Sequence, residues 1–210
     1  MAEQVPRVVV SRLPLYYRVL TLFEEEKKAV VSSQALGARL QLTPAQIRKD
    51  LSYFGRFGKQ GKGYNVKRLL HELKRILGLD REWGMAVVGV GKLGRALLGY
   101  GAFPAQGFRI VAAFDNDPAK VGRKLGNVTV QETTELSSAL AGKRIHIGIV
   151  AVPPSEAQAV INQLISYGVR AILNYAPSHT QVPDGIQLRD VDPVMALQGM
   201  TFYLKNTQQR

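Results

Sequence analysis

The sequence predicts an α/β fold: an N-terminal winged-helix domain over residues 1–79, a doubly wound Rossmann domain over 80–190, and a C-terminal helix over 191–210. Three observations carry this reading. The first 79 residues repeat apolar side chains at spacings of three and four, behind capping residues. The remainder holds four short, continuous apolar runs with helical sequence between them, the rhythm of parallel strands buried on both faces. The net charge of +12 is uneven: residues 1–79 carry 15 Lys/Arg against 6 Asp/Glu, net +9, whereas 80–210 carry 13 against 10, net +3. A basic half joined to a nearly balanced half points to a polyanionic partner for the first half alone.

Composition narrows the class. With 46% hydrophobic residues in 210, the chain can bury a core, which excludes a disordered tail or a fibre. No run of about 18 apolar residues exists to span a membrane, and MAEQVPR lacks the apolar stretch of a secretory signal. Cysteine is absent, which excludes disulfides, thiolate zinc sites and cysteine nucleophiles and fits a reducing cytoplasm.

Taken in order, Ser11 is expected to cap a first helix with Pro14 in its first turn and Leu13, Tyr16, Leu20 and Phe23 on its buried face. The run Glu24 to Lys28 reads as a solvated helix end. Ser32 or Ser33 starts a short second helix holding Ala35, Leu36 and Leu40. Thr43 caps a third, with Pro44 at its first position and Gln46 three residues on, a capping-box pattern. Ile47, Leu51 and Phe54 form its apolar stripe. GRFGKQGKGY (55–64) has the glycine content of a tight hairpin. Asn65 then caps a helix with Val66, Leu69, Leu70, Leu73, Ile76 and Leu77 on one face, and residues 78–84 read as the linker.

Two short helices around QLT, the second well capped, match a helix-turn-helix, and the basic hairpin behind them matches a wing. The face opposite the apolar stripe carries Gln46, Lys49 and Tyr53, flanked by Arg48 and Ser52, and the hairpin adds Arg56, Lys59 and Lys62. Between residues 40 and 68 there are seven Lys/Arg and one acid, Asp50. These eight polar residues form the candidate double-stranded DNA interface. Gln46, Lys49 and Ser52 suit base edges, and the hairpin cations suit phosphates.

In the second half the strand runs are MAVVGV (85–90), RIVAAF (109–114), IHIGIVAV (145–152) and RAILNY (170–175), with a helix over 156–167. Gly89-Val90-Gly91-Lys92-Leu93-Gly94 is G-x-G-x-x-G between a strand and a helix, the context a dinucleotide fingerprint requires. Gly89 permits the tight turn, Gly91 lets the backbone approach a pyrophosphate, and Gly94 lets helix and strand pack closely. Asp115 closes the next strand, 21 residues after Gly94, where a carboxylate bonds a ribose 2′-hydroxyl and repels a 2′-phosphate, so NAD is expected over NADP, with Lys120, Arg123 and Lys124 nearby as the counterweight. The three histidines suggest no catalytic base: His71 lies in a helix, His146 in an apolar strand and His179 in a loop. No metal-ligand spacing and no Ser–His–Asp arrangement is visible, and no catalytic residue is assigned.

These segments resemble the Rex family of redox-sensing transcriptional repressors. QIRKDLSYFGRFGKQGKGY (46–64) is similar to the family's recognition helix and wing, and ILGLDREWGMAVVGVGKLGRAL (76–97) to its linker and nucleotide loop. FDNDPAKVG (114–122), AVPPSEAQ (151–158) and NYAP (174–177) resemble its other ligand loops. The resemblance implies a homodimer on operator DNA that is released when NADH binds, with NAD⁺ competing weakly without releasing DNA. It also implies that the C-terminal helix, here VDPVMALQGMTFYL (191–204), swaps onto the partner subunit. Asp192 matches the family's acid before that helix, but Pro193 follows where an aromatic or other large apolar residue is expected.

The expected mechanism is a two-state dimer whose arrangements NADH binds unequally. Tyr100 and the Ala176–Pro177 loop are the candidates for sensing the nicotinamide, and Arg18 with Asp192 for a switch ion pair between domains. Two rivals predict different behaviour. An NAD-dependent oxidoreductase with an accessory basic domain would turn over substrate and show no salt-sensitive DNA binding. A nucleotide-gated module docking on acidic protein would show no preference for a palindromic duplex.

Overall fold

A computed structural model describes residues 5–59, 62–142 and 144–207. The chain divides into two compact units, Met1–Arg81 and Glu82–Arg210.

The first unit is built from α1 (Arg7–Glu25), β1 (Val30–Val31), α2 (Ser33–Leu40), α3 (Pro44–Ser52), β2 (Gly58–Lys59), β3 (Gly63–Asn65) and α4 (Val66–Ile76). Leu13, Tyr16, Leu20 and Phe23 of α1 are all buried, packed with Leu36, Ile47, Leu51, Leu69 and Leu73 in one core. Ser32, Thr43 and Asn65 cap α2, α3 and α4, each accepting the amide N–H three residues on. The wing hairpin forms with Gly58 opposite Tyr64, and β3 also pairs with β1, giving an antiparallel sheet in the order β1-β3-β2.

The start of α1 differs from expectation. The helix begins at Arg7, behind Pro6, so Ser11 is an interior residue whose hydroxyl bonds back to the Val8 carbonyl, and Pro14 lies inside the helix. Packing decides this: Val9 is buried against the unit, and the Val10 carbonyl that Pro14 leaves without a donor belongs to an exposed residue. The end of α1 is also more than a solvated run. Glu26 pairs with Arg39 at 2.6 Å, and Arg39 lies 4.0 Å over the ring of Phe23.

The second unit is a seven-stranded sheet in the order β10-β9-β8-β4-β5-β7-β6. Its strands are β4 (Trp83–Val88), β5 (Phe108–Asp115), β6 (Lys124–Leu125), β7 (Val128–Glu132), β8 (Ile147–Val150), β9 (Ala171–Asn174) and β10 (Gln187–Asp190). All neighbours are parallel except β6 and β7, a hairpin at one edge. Leaving β6 aside, this is the doubly wound order, with its switch point between β4 and β8. Ala86 and Val88 face a core shared with Ile161 and Leu164 of α8 (Pro154–Ser166). Met85 and Val87 face the opposite core with Leu97 of α5 (Lys92–Leu98). Burial on both faces is why β4 is an unbroken apolar run. A short α6 (Ala102–Ala105) and α7 (Leu136–Gly142) complete the connections, and α9 (Pro193–Thr207) ends the described chain.

Trp83 and Gly84, expected in the linker, are the first residues of β4. The β6–β7 hairpin, β10 and α7 are additions to the expected pattern. Pro193 is the first residue of α9, where its missing N–H costs nothing and its fixed φ suits a helix start. Along α9, Val194, Met195, Leu197, Met200, Phe202, Tyr203 and Leu204 are each more than half exposed.

Candidate functional site

The winged unit presents the sequence-predicted interface as follows. The Thr43 hydroxyl accepts the Gln46 amide at 3.1 Å and starts α3. The reciprocal half of the capping box is missing, because the Gln46 side chain runs down the helix and donates Nε2 to Asp50 Oδ1 at 2.7 Å. Lys49 and Ser52 are exposed one turn along, and Tyr53 is half-buried at the end of the helix. Arg48 is exposed and donates to the Ser33 hydroxyl at 3.1 Å. Arg48, Ser52 and Arg56 line a groove of about 660 Å³ between α3 and the hairpin, with Ser32 and Ser33 on its other wall. Lys62 is exposed at the hairpin turn. Lys59 lies in β2, and its side chain is outside the described residues.

One residue of this helix carries more than its sequence suggests. Asp50, the single acid of the basic stretch, is fully buried. Its Oδ2 takes Arg12 Nε at 2.6 Å and the Tyr16 hydroxyl at 2.5 Å. Its Oδ1 takes Arg12 Nη2 at 2.8 Å besides Gln46. Burial alone would push the Asp50 carboxyl up, but bonds from Arg12, Tyr16 and Gln46 outweigh it and hold the group below the usual carboxylate range. The Tyr16 hydroxyl moves the other way, pushed up by burial and by the adjacent carboxylate. Arg12 is drawn further toward its charged form, first by its bond to Asp50. The partners lie 38 and 34 positions away, so no local pattern points to them. The available signal was that Asp50 falls with Ile47 and Leu51 on the buried stripe.

In the second unit, the ends of β4 and β8 open a cleft of about 680 Å³ at the switch point. Gly89, Gly91, Lys92, Leu93, Asp115 and Lys120 line one side, with Val152 and Ser155 on the other. The three glycines differ in what they permit. Gly89 has φ +92°, and a Cβ there would lie 2.5 Å from the Ala151 carbonyl oxygen. A Cβ on Gly94 would run into the carbonyl oxygen of Gly89, so helix and strand could not close up. A Cβ on Gly91 would meet nothing within 4 Å and would only fill open space. The helix α5 starts at Lys92, so the amides of its first turn have no acceptor within the helix.

Asp115 closes β5 and is 5% exposed. Its carboxylate accepts the amides of Val90 at 2.7 Å and Asp117 at 2.9 Å, and Lys120 Nζ stands 3.2 Å from both oxygens. Burial pushes the carboxyl up, and the two amides with Lys120 more than reverse it, holding the group below its ordinary value. Lys120 is pushed up, chiefly by its bond to Asp115. Asp115 therefore pins the glycine loop as well as edging the cleft. Lys120 is also 3.4 Å from Asp117 Oδ2, so its charge is matched by two carboxylates. With Lys120 occupied in this way, the buried Asp115 carboxylate marks the place for a ribose hydroxyl and opposes a phosphate on it, while Lys92 adds a positive charge elsewhere in the lining. The residues fit a dinucleotide: open space at Gly91 for a pyrophosphate, free amides beside it, and an ionised acceptor at Asp115.

Three predicted nicotinamide-side residues are not brought to this cleft. Tyr100 is 56% exposed, edge-on to Phe103 with ring centroids 5.0 Å apart, in a separate depression with Phe108 and Leu125. Ala176 is buried and Pro177 exposed in the loop after β9. Buried Asn174 ties that loop down through the Ala176 N–H and carbonyl, and bonds Asp190 at 2.8 Å. Of the predicted switch pair, Arg18 is exposed on α1 and Asp192 accepts the Val194 amide at 2.8 Å, capping α9. Among the histidines, His71 and His179 are exposed, and His146 accepts the Gly84 amide through Nδ1 at 3.2 Å.

Known proteins bear on both units. A family model described as a "DNA-binding protein N-terminus" matches residues 4–52, and one described as a CoA binding domain matches residues 80–178. The redox-sensing transcriptional repressor Rex of Chloroflexus aggregans is 50% identical over 208 residues, 99% of this chain and 98% of that one. The crystal structure of RSP, a Rex-family repressor, in complex with NAD⁺ and operator DNA has a TM-score of 0.93 and 34% identity over 99% of this chain and 95% of its own. RSP in complex with NADH gives 0.89 and 32%, over 99% and 97%.

Proposed function

The chain belongs to the Rex family of redox-sensing transcriptional repressors, and we propose that it binds a palindromic operator as a homodimer and lets go when NADH fills the β4–β8 cleft. The observation that carries this is one chain holding both a capped α3 with its basic groove and a cleft built around Gly91 and Asp115. Lys49 and Ser52, exposed on α3, reach base edges with Gln46, and Tyr53 borders them. Arg48, Arg56, Lys59 and Lys62 meet phosphates, each adding about 0.9 to the salt slope of binding to duplex DNA.

In the cleft, Gly91 admits the pyrophosphate, the amides of Lys92 and Leu93 bond it, Val90 holds the loop through Asp115, and Asp115 takes the ribose. The reduced and oxidised cofactors differ in charge and planarity at the nicotinamide, so the discriminating contacts lie at that end. Tyr100, Ala176 and Pro177 do not line the cleft in this structure, so they reach the nicotinamide only in the NADH-bound arrangement of the dimer, with Arg18 and Asp192 pairing in one arrangement only. The exposed apolar length of α9 packs on a second subunit, because a lone helix does not leave seven large apolar side chains in water. The protein acts in the cytoplasm as a regulator without turnover. Among the described residues no helix is long and apolar enough to cross a membrane.

The test is one titration of a preformed operator complex with NADH, NAD⁺ and NADPH in parallel. Micromolar NADH should dissociate it while the other two leave it largely intact. A complex that survives NADH sinks the redox-sensor reading, and NADH consumption with a substrate would support an oxidoreductase instead.

A further inference from the structure

The carboxylate of Asp50 is an expensive group to keep where it is. It sits on the helix that faces DNA, fully buried, and ionised. A buried ion pair is weak evidence of stability, since well-packed apolar side chains in its place are often neutral or better. The best-attested benefit of such a group is a fixed geometry. Here four donors surround the two oxygens: Nε and Nη2 of Arg12, the Tyr16 hydroxyl, and Nε2 of Gln46. Buried Tyr16 and part-buried Arg12 come from α1 and clamp the carboxylate from that neighbouring helix, whereas Gln46 lies one turn before Asp50 on α3 itself.

An ionised carboxylate only accepts hydrogen bonds. It therefore allows one orientation of the Gln46 amide, with the NH₂ toward Asp50 and the carbonyl oxygen on the other side. We propose that Asp50, held by Arg12 and Tyr16, is a positioning residue for operator readout: it fixes the donor–acceptor order of the Gln46 amide and so sets which base that amide accepts. The proposal rests on the DNA-binding reading above. A glutamine recognises adenine through both amide atoms, Nε2 to N7 and Oε1 from N6. With one Nε2 hydrogen on Asp50, the second hydrogen and Oε1 remain for the base, in fixed order. Replacing Asp50 by asparagine removes the constraint, because a side-chain amide offers either an acceptor or a donor and Gln46 can turn over.

The test is selection of duplexes from a random library by the wild-type 210-residue chain and by Asp50→Asn, Tyr16→Phe and Gln46→Ala variants and the Asp50→Asn, Gln46→Ala double variant, with thermal melts and NADH titrations on each. The wild type should enrich a palindrome. Asp50→Asn should lose preference at one base pair per half-site, by roughly tenfold, with other positions, salt slope and NADH affinity unchanged. Gln46→Ala should lose preference at the same base pair, and the double variant should lose no more than either single one. Tyr16→Phe, which keeps the carboxylate and Arg12, should retain the base preference and serves as the folded control. An Asp50→Asn motif identical to wild type overturns the inference while leaving the repressor reading intact, as does a uniform loss at all positions in step with a lower Tm. A wild-type protein that enriches no sequence overturns both.

Discussion

Replacing Gly91 by alanine should weaken NADH binding while leaving the fold in place. The backbone at Gly91 has φ −75° and ψ −160°, open to any residue, and an added Cβ meets nothing within 4 Å. The only atoms it can displace are the ligand's. As the cap of α5, alanine is worse than glycine by about 1 kcal/mol, but a smaller unfolded ensemble returns ~0.4–1 kcal/mol. The net effect on Tm should be at most a few degrees. Forcing one methyl into a filled cleft costs roughly 1–3 kcal/mol, which is about 5- to 150-fold in affinity. Gly94→Ala is the contrast, because its Cβ strikes the Gly89 carbonyl oxygen, which is backbone and cannot swing away. That variant should lose stability and binding together. Fluorescence titration of NADH beside thermal melts separates the two cases. A Gly91→Ala protein that binds NADH like wild type, or that loses binding only in step with its Tm, refutes the placement of the pyrophosphate.

Three further outcomes are expected. Lys49→Ala should weaken operator binding about tenfold, the value of a good base contact, with an unchanged NADH titration, since Lys49 is exposed on α3 and belongs to the first unit. The folded Asp115 carboxyl titrates below its unfolded value near 3.9, so its stabilisation is full above about pH 4 and fades as pH falls through the folded value. Asp115→Asn should therefore lower stability at pH 7 by about 1–3 kcal/mol and show a flatter acid limb below pH 4 in thermal melts. Leu197→Asp with Phe202→Asp should convert a sedimenting dimer to a monomer that still melts cooperatively, with a Tm that no longer rises with protein concentration, because both side chains are exposed within one chain.

How far the sequence reached follows from the range of the forces involved. The caps of α2, α3 and α4 and the strand–glycine–helix order at β4 were legible because each is decided within a few residues. The start of α1 was not, because burial of Val9 in the assembled unit extends the helix past the Ser11 signal. The edge hairpin Lys124–Glu132 and the strand Gln187–Asp190 are short: Val128, Thr129 and Val130 alternate over only three residues, and Lys124–Leu125 and Gln187–Asp190 are mostly exposed, so none shows a continuous apolar run or a sustained alternation. Residue types at the nucleotide loop were readable, whereas Asp115 bonding Val90 requires β4 and β5 to lie side by side. The Asp50 cluster was the least readable, since its four donors come from two helices far apart in the chain. In the sequence that residue is only one acid among seven bases.

In the proposed function one chain couples a dinucleotide cleft to a DNA-reading helix. Coupling between two binding equilibria is reciprocal, so the most direct measurement is the NADH Kd with and without saturating operator duplex. NADH binding should be weaker on DNA, by the same factor by which saturating NADH weakens operator binding. An NADH Kd unchanged by operator would contradict it, even if each ligand binds tightly alone.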